Sequence, residues 1–226
     1  MSDLRMLYHG SDVTVYKPEF GAGYPYNDYG LGFYLTASVD MAGEWAVAKA
    51  RGNGFINKYM IDFSGLAVLN LDTVNIVNVL ALLIKNRNVR VGRRHGTRHQ
   101  IFVERFNLDV GAYDVLEGWR ADDAFFQYIR DFLQGSLSVE CLMNVVKFGE
   151  LGRQVVLVSA LAFERIKFVG YDAAIAAKYL DTAVYRDQAA AKRYEDLEQD
   201  ERERGTVIGD LLGDDWRSHY ERFSKR

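Results

Sequence analysis

An α+β domain followed by a helical extension is what this chain predicts, and three observations carry that reading. Short alternating or β-branched runs lie near both ends of residues 1–170, at Arg5–Tyr8 and Phe55–Phe63 early, and at Arg153–Ser159 and Leu161–Val169 late. Between them, apolar residues recur at helical spacing. After Gly170 the composition shifts to alanine, glutamate, lysine and arginine over Ala173–Arg204, the make-up of a long, surface-heavy helix. The division is therefore a domain over residues 1–170 and a helical C-terminal extension over 171–226.

The first strand runs from about Arg5 to Tyr8 and ends at His9-Gly10-Ser11, where an imidazole and an open backbone edge can face a ligand. Lys17-Pro18 breaks regular structure, because proline disfavours helix in the residue before it. Gly21 to Tyr29 is a loop by composition, rich in glycine and tyrosine; it packs on its own aromatics or covers a ligand site. A second short run follows, Gly30-Leu31-Gly32-Phe33-Tyr34-Leu35-Thr36. Ser38 is an N-cap for a helix whose buried stripe is Met41, Trp45 and Ala48. Phe55 to Phe63 alternates as a strand, and Leu66 to Leu71 adds another. Val74, Val77, Val79, Leu80, Leu82, Leu83 and Ile84, with asparagines between, predict a half-buried helix capped by Asp72.

Further on, Tyr113 to Trp119 is a strand, and Asp122-Asp123 opens a helix carrying Phe125, Phe126, Ile129 and Phe132. Capping and the helix dipole account for that aspartate pair; a catalytic carboxylate pair is the sharper alternative. Ser138 caps a helix to about Phe148, within which Cys141 reads as a small core residue. Arg153 to Ser159 is a buried strand, Leu161 to Val169 one more, and a short finishing helix spans Asp214 to Phe223.

Composition narrows the function classes. A chain of 226 residues, 49% hydrophobic and 26% charged, can bury one sizeable core with an appendage. A net charge of −3 argues against whole-protein attraction to nucleic acid. Arg87 to His99, with five arginines and two histidines, is either a solvated loop or a footprint for phosphate or RNA. The single cysteine excludes an intramolecular disulfide and a cysteine zinc cage. The start lacks the pattern of a secretory signal and no stretch is apolar for long enough to span a bilayer, so a cytoplasmic protein with no membrane partner is expected. HExxH, P-loop, GxSxG and GxGxxG motifs are absent. From the residues alone the reading stops at an α+β domain with a ligand site near His9.

Tyr8-His9-Gly10-Ser11 and Gly32-Phe33-Tyr34 resemble the first two active-site segments of ADP-ribosyltransferases of the diphtheria-toxin and poly(ADP-ribose) polymerase type. More closely, the chain is similar to a bacterial family of small ADP-ribosyltransferase-like proteins long described as a domain of unknown function. That family adds a tyrosine-aspartate strand, an alanine-aspartate-aspartate helix start and a glutamine-led late strand, matched here by Tyr113-Asp114-Val115, Ala121-Asp122-Asp123 and Arg153-Gln154-Val155-Val156. The likeness runs from about Leu7 to Val169 with its segments in order.

The resemblance implies split central sheets flanked by helices and NAD as substrate. It implies that His9 hydrogen-bonds an NAD ribose hydroxyl, that Gly10 meets the nicotinamide carboxamide through its backbone, and that Ser11 adds a hydroxyl bond to that amide. Tyr34 would stack on the nicotinamide ring, and Gln154 would fall where the family's catalytic glutamate usually lies. A neutral glutamine there departs from the pattern, because a carboxylate places negative charge where the ribose becomes cationic. Glu150 and Asp28 are the acids nearest the motifs; each reads first as a surface or loop charge, and entry into the site with a catalytic role is the alternative. Arg5, Arg51 and the Arg87–Arg98 cluster are candidates for holding pyrophosphate.

The resulting expectation is an NAD-dependent ADP-ribosyltransferase, a bacterial toxin or effector that modifies a nucleic acid or protein acceptor and is held in check by an antitoxin or other inhibitory protein. The alternatives are a catalytically inactive NAD-binding or partner-binding module of the same fold, and an RNA-binding domain centred on Arg87 to His99.

Overall fold

The computed structural model describes residues 3–87, 89, 96–121, 123–148, 152–180, 192, 202 and 204–224. Strand β1 (Leu4–Ser11), β2 (Phe33–Leu35), helix α1 (Val39–Ala50), β3 (Gly54–Asp62) and β4 (Val68–Asn70) come first. They are followed by α2 (Ile76–Asn86), α3 (Gly96–Arg105), β5 (Val115–Trp119), α4 (Asp123–Gln134) and α5 (Val139–Phe148). Then come β6 (Arg153–Leu157), α6 (Ala160–Glu164), β7 (Ile166–Ala174), α7 (Ile208–Leu212) and α8 (Trp216–Glu221). The mixed content agrees with the α+β class.

Two sheets form. One is antiparallel in the order β1-β3-β7; the other runs β2-β6-β5-β4, antiparallel except for the parallel pair β4–β5. Their backbones meet where Tyr8 and Thr36 exchange hydrogen bonds of 2.8 and 2.9 Å. The period-two alternation of β1 sends Leu7 and Tyr8 to opposite faces. Leu7, Tyr59 and Ile61 pack against Leu35, Val115 and Leu157 between the sheets. On the outer face of the three-stranded sheet, Ile56 and Ala174 meet Ala42, Ala46 and Val47 of α1. The outer face of the four-stranded sheet, with Leu116 and Val156, carries the largest core, shared with α2, α3, α4, α5 and α7. Four layers result: α1, the two sheets, and α2 to α5 with α7; α6 packs through Ala162 against the core between the sheets.

Several expectations shift in detail, each for a local reason. The cap of α2 is Asn75, whose side chain accepts from the Val77 N–H at 3.0 Å, and not Asp72. Asp72 lies in a 3₁₀ turn, Leu71–Thr73, where its own N–H is taken by Asn70. Nor is α2 half-buried: Ile76, Val77 and Val79 to Ile84 are all buried, each large side chain contributing roughly 1.5–3 kcal/mol, so tertiary burial holds this helix. Leu161 to Val169 is not one strand. Ser159 accepts from the Ala162 N–H and starts α6, and only from Ile166 does the chain pair with β3. The strand expected over Leu66–Leu71 shrinks to β4, and Gly96 to His99 open α3 and are not loop.

Other expectations hold. Ser38 caps α1, Ser138 accepts from the Cys141 N–H at the start of α5, and Cys141 is buried in the main core. β7, by contrast, runs past Gly170 to Ala174, so Ala173 and Ala174 are strand and not the start of the expected helix; residues 176–180 are helical. Ile208 and Leu211 of α7 are fully buried in the main core, against which Trp216 and Tyr220 also pack. The long helix expected over Ala173–Arg204, like Asp122, Glu150 and most of Asn88–His95, falls largely outside the described residues. Among the described residues no helix is long and apolar enough to cross a membrane.

Candidate functional site

Beside the Tyr8–Thr36 junction lies a cleft of about 940 Å³, a size ordinary for small-molecule sites. β1 gives it His9 and Gly10; β2 gives Phe33 and Tyr34; β6 gives Gln154; α1 gives Trp45, Ala48 and Lys49. Four of the five residues singled out from the sequence therefore meet in one place. Ser11 is not among the lining residues: its hydroxyl donates to Asp12 and accepts from the Val13 N–H.

His9 is fixed by one strong contact. Its Nδ1 lies 2.7 Å from the backbone oxygen of Tyr34, and a carbonyl can only accept, so Nδ1 carries the proton. Burial pushes the imidazole below its usual range, which leaves the ring neutral and Nε2 an acceptor. The ring packs at 4.5 Å on Phe33. Gly10 is required by packing: a Cβ there would come within 1.9 Å of the Ala42 carbonyl oxygen on α1. The reason for glycine at this position is thus the helix behind the strand.

Tyr34 is a staple as well as a lining ring. Its hydroxyl donates to the Gly30 carbonyl at 2.8 Å and accepts from the Tyr29 N–H at 2.9 Å. Burial holds the phenol well above its ordinary range, so it stays protonated. The loop closed in this way turns at Gly30, whose φ of +85° favours glycine. Met41 lies in the buried stripe of α1, which continues through Ala42, Ala46 and Val47; Trp45 and Ala48, expected in that stripe, line the cleft instead.

The residue that sequence reasoning undervalued is Asp28. It reads as a loop charge, yet it is only 6% exposed. Its Oδ2 accepts from Gln154 Nε2 at 2.9 Å and from the Ala121 N–H at 2.9 Å, and Arg87 Nε stands 3.5 Å from Oδ1. Burial pushes the Asp28 acid up, while those two donors and the charges of Arg87 and Arg120 pull the other way. Gln154 spends its second amide hydrogen on the Trp119 carbonyl at 3.1 Å. Its strand neighbour in β5 is Gly118, where a Cβ would strike the Tyr29 hydroxyl at 2.4 Å; Tyr29 donates to the same Trp119 carbonyl.

Cations line the same cleft, and two of them, Arg87 and Arg120, act on this acid. Arg87, Arg120, Lys17 and Lys49 line the cleft with Glu19. Of the arginines considered for pyrophosphate, Arg87 is in place, its guanidinium over Phe126 at 4.4 Å. Arg5 instead pairs with Asp3 and Glu117, and Arg51 ends α1 in a left-handed conformation; neither lines the cleft. Arg120, Lys17 and Lys49 carried no motif; the one clue to Arg120 is its place just past the end of β5. Asp114 of the tyrosine-aspartate pair works as a clamp, accepting from the Ala67 N–H and the Ser159 hydroxyl, contacts that hold its acid below the usual range. Among the described residues no cluster of histidine, cysteine, aspartate and glutamate is arranged to hold a metal ion.

No curated protein and no solved structure matches this chain. A family model described as "Protein of unknown function (DUF3990)" matches residues 5–168, a span that takes in His9, Asp28, Tyr34 and Gln154 and ends within β7. With well over half its length covered, the chain belongs to the DUF3990 family of proteins of unknown function.

Proposed function

We propose that this protein is an NAD-dependent ADP-ribosyltransferase with the split-sheet fold of that class. The observation that carries the reading is the convergence of a neutral, proton-fixed histidine, a cleft-lining tyrosine and Gln154 from three separate strands. In this reading His9 Nε2 accepts from a ribose hydroxyl, the Tyr34 ring orients nicotinamide, and Arg87, Arg120, Lys17 and Lys49 offer charge for the pyrophosphate. The C1′–N bond breaks with its electron pair passing to nicotinamide, which leaves neutral. The cationic ribose carbon is captured by an acceptor nucleophile, whose proton goes to solvent. The acceptor is a nucleic acid or a protein, and the protein acts as a toxin or effector restrained by an inhibitory partner.

A second reading, a module that binds NAD without turnover, is favoured by one observation: both amide hydrogens of Gln154 are already engaged inside the protein. The test adds NAD labelled on the adenine side, with purified protein, to a bacterial lysate, which is then split into protein, RNA and DNA fractions. Label in one fraction, lost with Tyr34→Ala, is the expected result and names the acceptor class. NAD binding without label transfer would establish the binding module, and no NAD binding would remove both readings.

A further inference from the structure

Gln154 is neutral, and the reaction proposed above needs negative potential beside the ribose. We propose that Asp28 is a positioning residue that orients and electrically backs the Gln154 amide, so that the Asp28–Gln154 pair does the work of a carboxylate at position 154. This inference rests on the transferase reading.

Three features of the geometry carry it. First, an amide has two hydrogens, and those of Gln154 go to Asp28 Oδ2 and the Trp119 carbonyl. The planar group is thereby locked, and among the described residues no hydrogen bond engages its Oε1. Gln154 lines the cleft, so Oε1 is the atom left to accept from a ligand. Second, an N–H donating to an anion pushes electron density onto its own carbonyl oxygen, an effect that grows in a low-dielectric surround. Gln154 is 3% exposed and Asp28 6%, which meets that condition. Third, the Asp28 carboxylate is supported at Oδ2 by two close donors, with the arginine charges of Arg87 and Arg120 farther off. The Ala121 N–H and Gln154 hold Oδ2, whereas Arg87 Nε at 3.5 Å from Oδ1 is beyond a good hydrogen bond. A neutral side chain of the same shape would make a comparable structural link, so a buried anion here is an expense that packing alone does not explain.

In this scheme Asp28 acts as the anion and Gln154 as the amide, and only the potential at the ribose carbon changes; burial raises the Asp28 acid, so the effect fades as pH falls through that raised value. The pair must therefore tolerate an exchange of partners. Gln154→Glu alone sets two carboxylates within hydrogen-bond distance and forces one to protonate. Gln154→Glu combined with Asp28→Asn restores one anion and one amide, with their positions swapped.

Nicotinamide release is measured with the full-length protein and NAD in bacterial lysate as the acceptor source, alongside NAD affinity by calorimetry and the melting midpoint. Asp28→Asn is expected to lower kcat roughly 10- to 100-fold with NAD affinity changed less than about threefold. Gln154→Glu should fall at least as far, and the double variant should recover most of the loss. A merely structural Asp28 would move the melting midpoint and not the kcat of folded protein, and would show no recovery in the double variant; that pattern overturns the proposal. Should Asp28→Asn fail to fold, Gln154→Ala decides, and an unchanged kcat in it overturns the proposal as well. Wild-type protein that releases no nicotinamide removes the transferase reading and this one together. Release that ignores the state of Asp28 removes this one alone.

Discussion

The wall of the cleft built on β1 and the wall built on β6 hold their polar residues in contrasting ways. On β1, the His9 imidazole is hydrogen-bonded to a backbone carbonyl, and the strand is pressed directly against α1 at Gly10. On β6, Gln154 is held by a side chain 126 positions away in sequence, which is itself held by a backbone N–H and an arginine. At Gly10 the first wall is held by close steric contact. Around Gln154 the second is held by hydrogen bonds to a buried carboxylate. A cleft with one wall fixed by packing and another that buries a carboxylate can fix a ligand's geometry and bias its charge distribution separately.

The steric wall should break hardest. Gly10→Val places a side chain where even a Cβ would lie 1.9 Å from the Ala42 backbone oxygen, and backbone cannot step aside cheaply. A loss of about 3 kcal/mol or more is expected, read as a lowered urea midpoint. A loss under about 1 kcal/mol would mean that α1 shifts freely on β1.

Next in size is the staple between the walls. Tyr34→Phe removes the hydroxyl that joins the Tyr29 N–H to the Gly30 carbonyl and leaves both without that partner. About 2 kcal/mol of stability should go, while the ring, and with it NAD affinity, remains. Tyr34→Ala should lose both. Equal NAD affinity in the two variants would rule out a stacking role for the ring.

Acid separates the walls by sign. The folded His9 imidazole binds its proton less readily than the unfolded one, so its contribution is full above the ordinary value near 6.5 and is lost as pH falls from there through the lowered folded value. Asp28 runs oppositely. Its folded acid holds a proton to higher pH, so its contribution is full below the ordinary value near 3.9 and is lost as pH rises through the raised one. Urea midpoints collected between about pH 4 and pH 8 should show His9→Gln flattening a loss on acidification, and Asp28→Asn flattening a gain. Parallel curves for wild type and both variants would contradict both assignments.

How much of this was legible follows from how local each cause is. β1, the Ser38 and Ser138 caps and the burial of Cys141 depend on a few consecutive residues, and the sequence displays them. The α2 cap went astray by three residues because Asp72 and Asn75 are both capping types, and only the turn imposed by Asn70 decides between them. Ser159 was an available signal for α6, masked by the alternation of Leu161 and Phe163 around it. Asp28 was visible as a nearby acid, but its burial was not: a glycine- and tyrosine-rich loop gives no hint of it, and its partners Gln154 and Ala121 are remote in the chain. The site's backbone shape was readable from short motifs. Its charge was not, because buried charge is decided by partners remote in the chain.

The smallest expected effect makes the sharpest control, because it concerns the residue next to Gln154. Arg153 points the other way along β6 and pairs with Asp72, with half of its own side chain exposed. An ion pair in that setting is worth about 0–1 kcal/mol, since water screens it and two long side chains must be ordered to make it. Arg153→Ala should therefore lower the urea midpoint barely, lose what little it costs in high salt, and leave nicotinamide release unchanged. If Arg153→Ala instead reduces release as Gln154→Ala does, the charge that matters is carried by β6 as a whole and not by the buried pair, and the contrast between the two walls no longer explains the cleft.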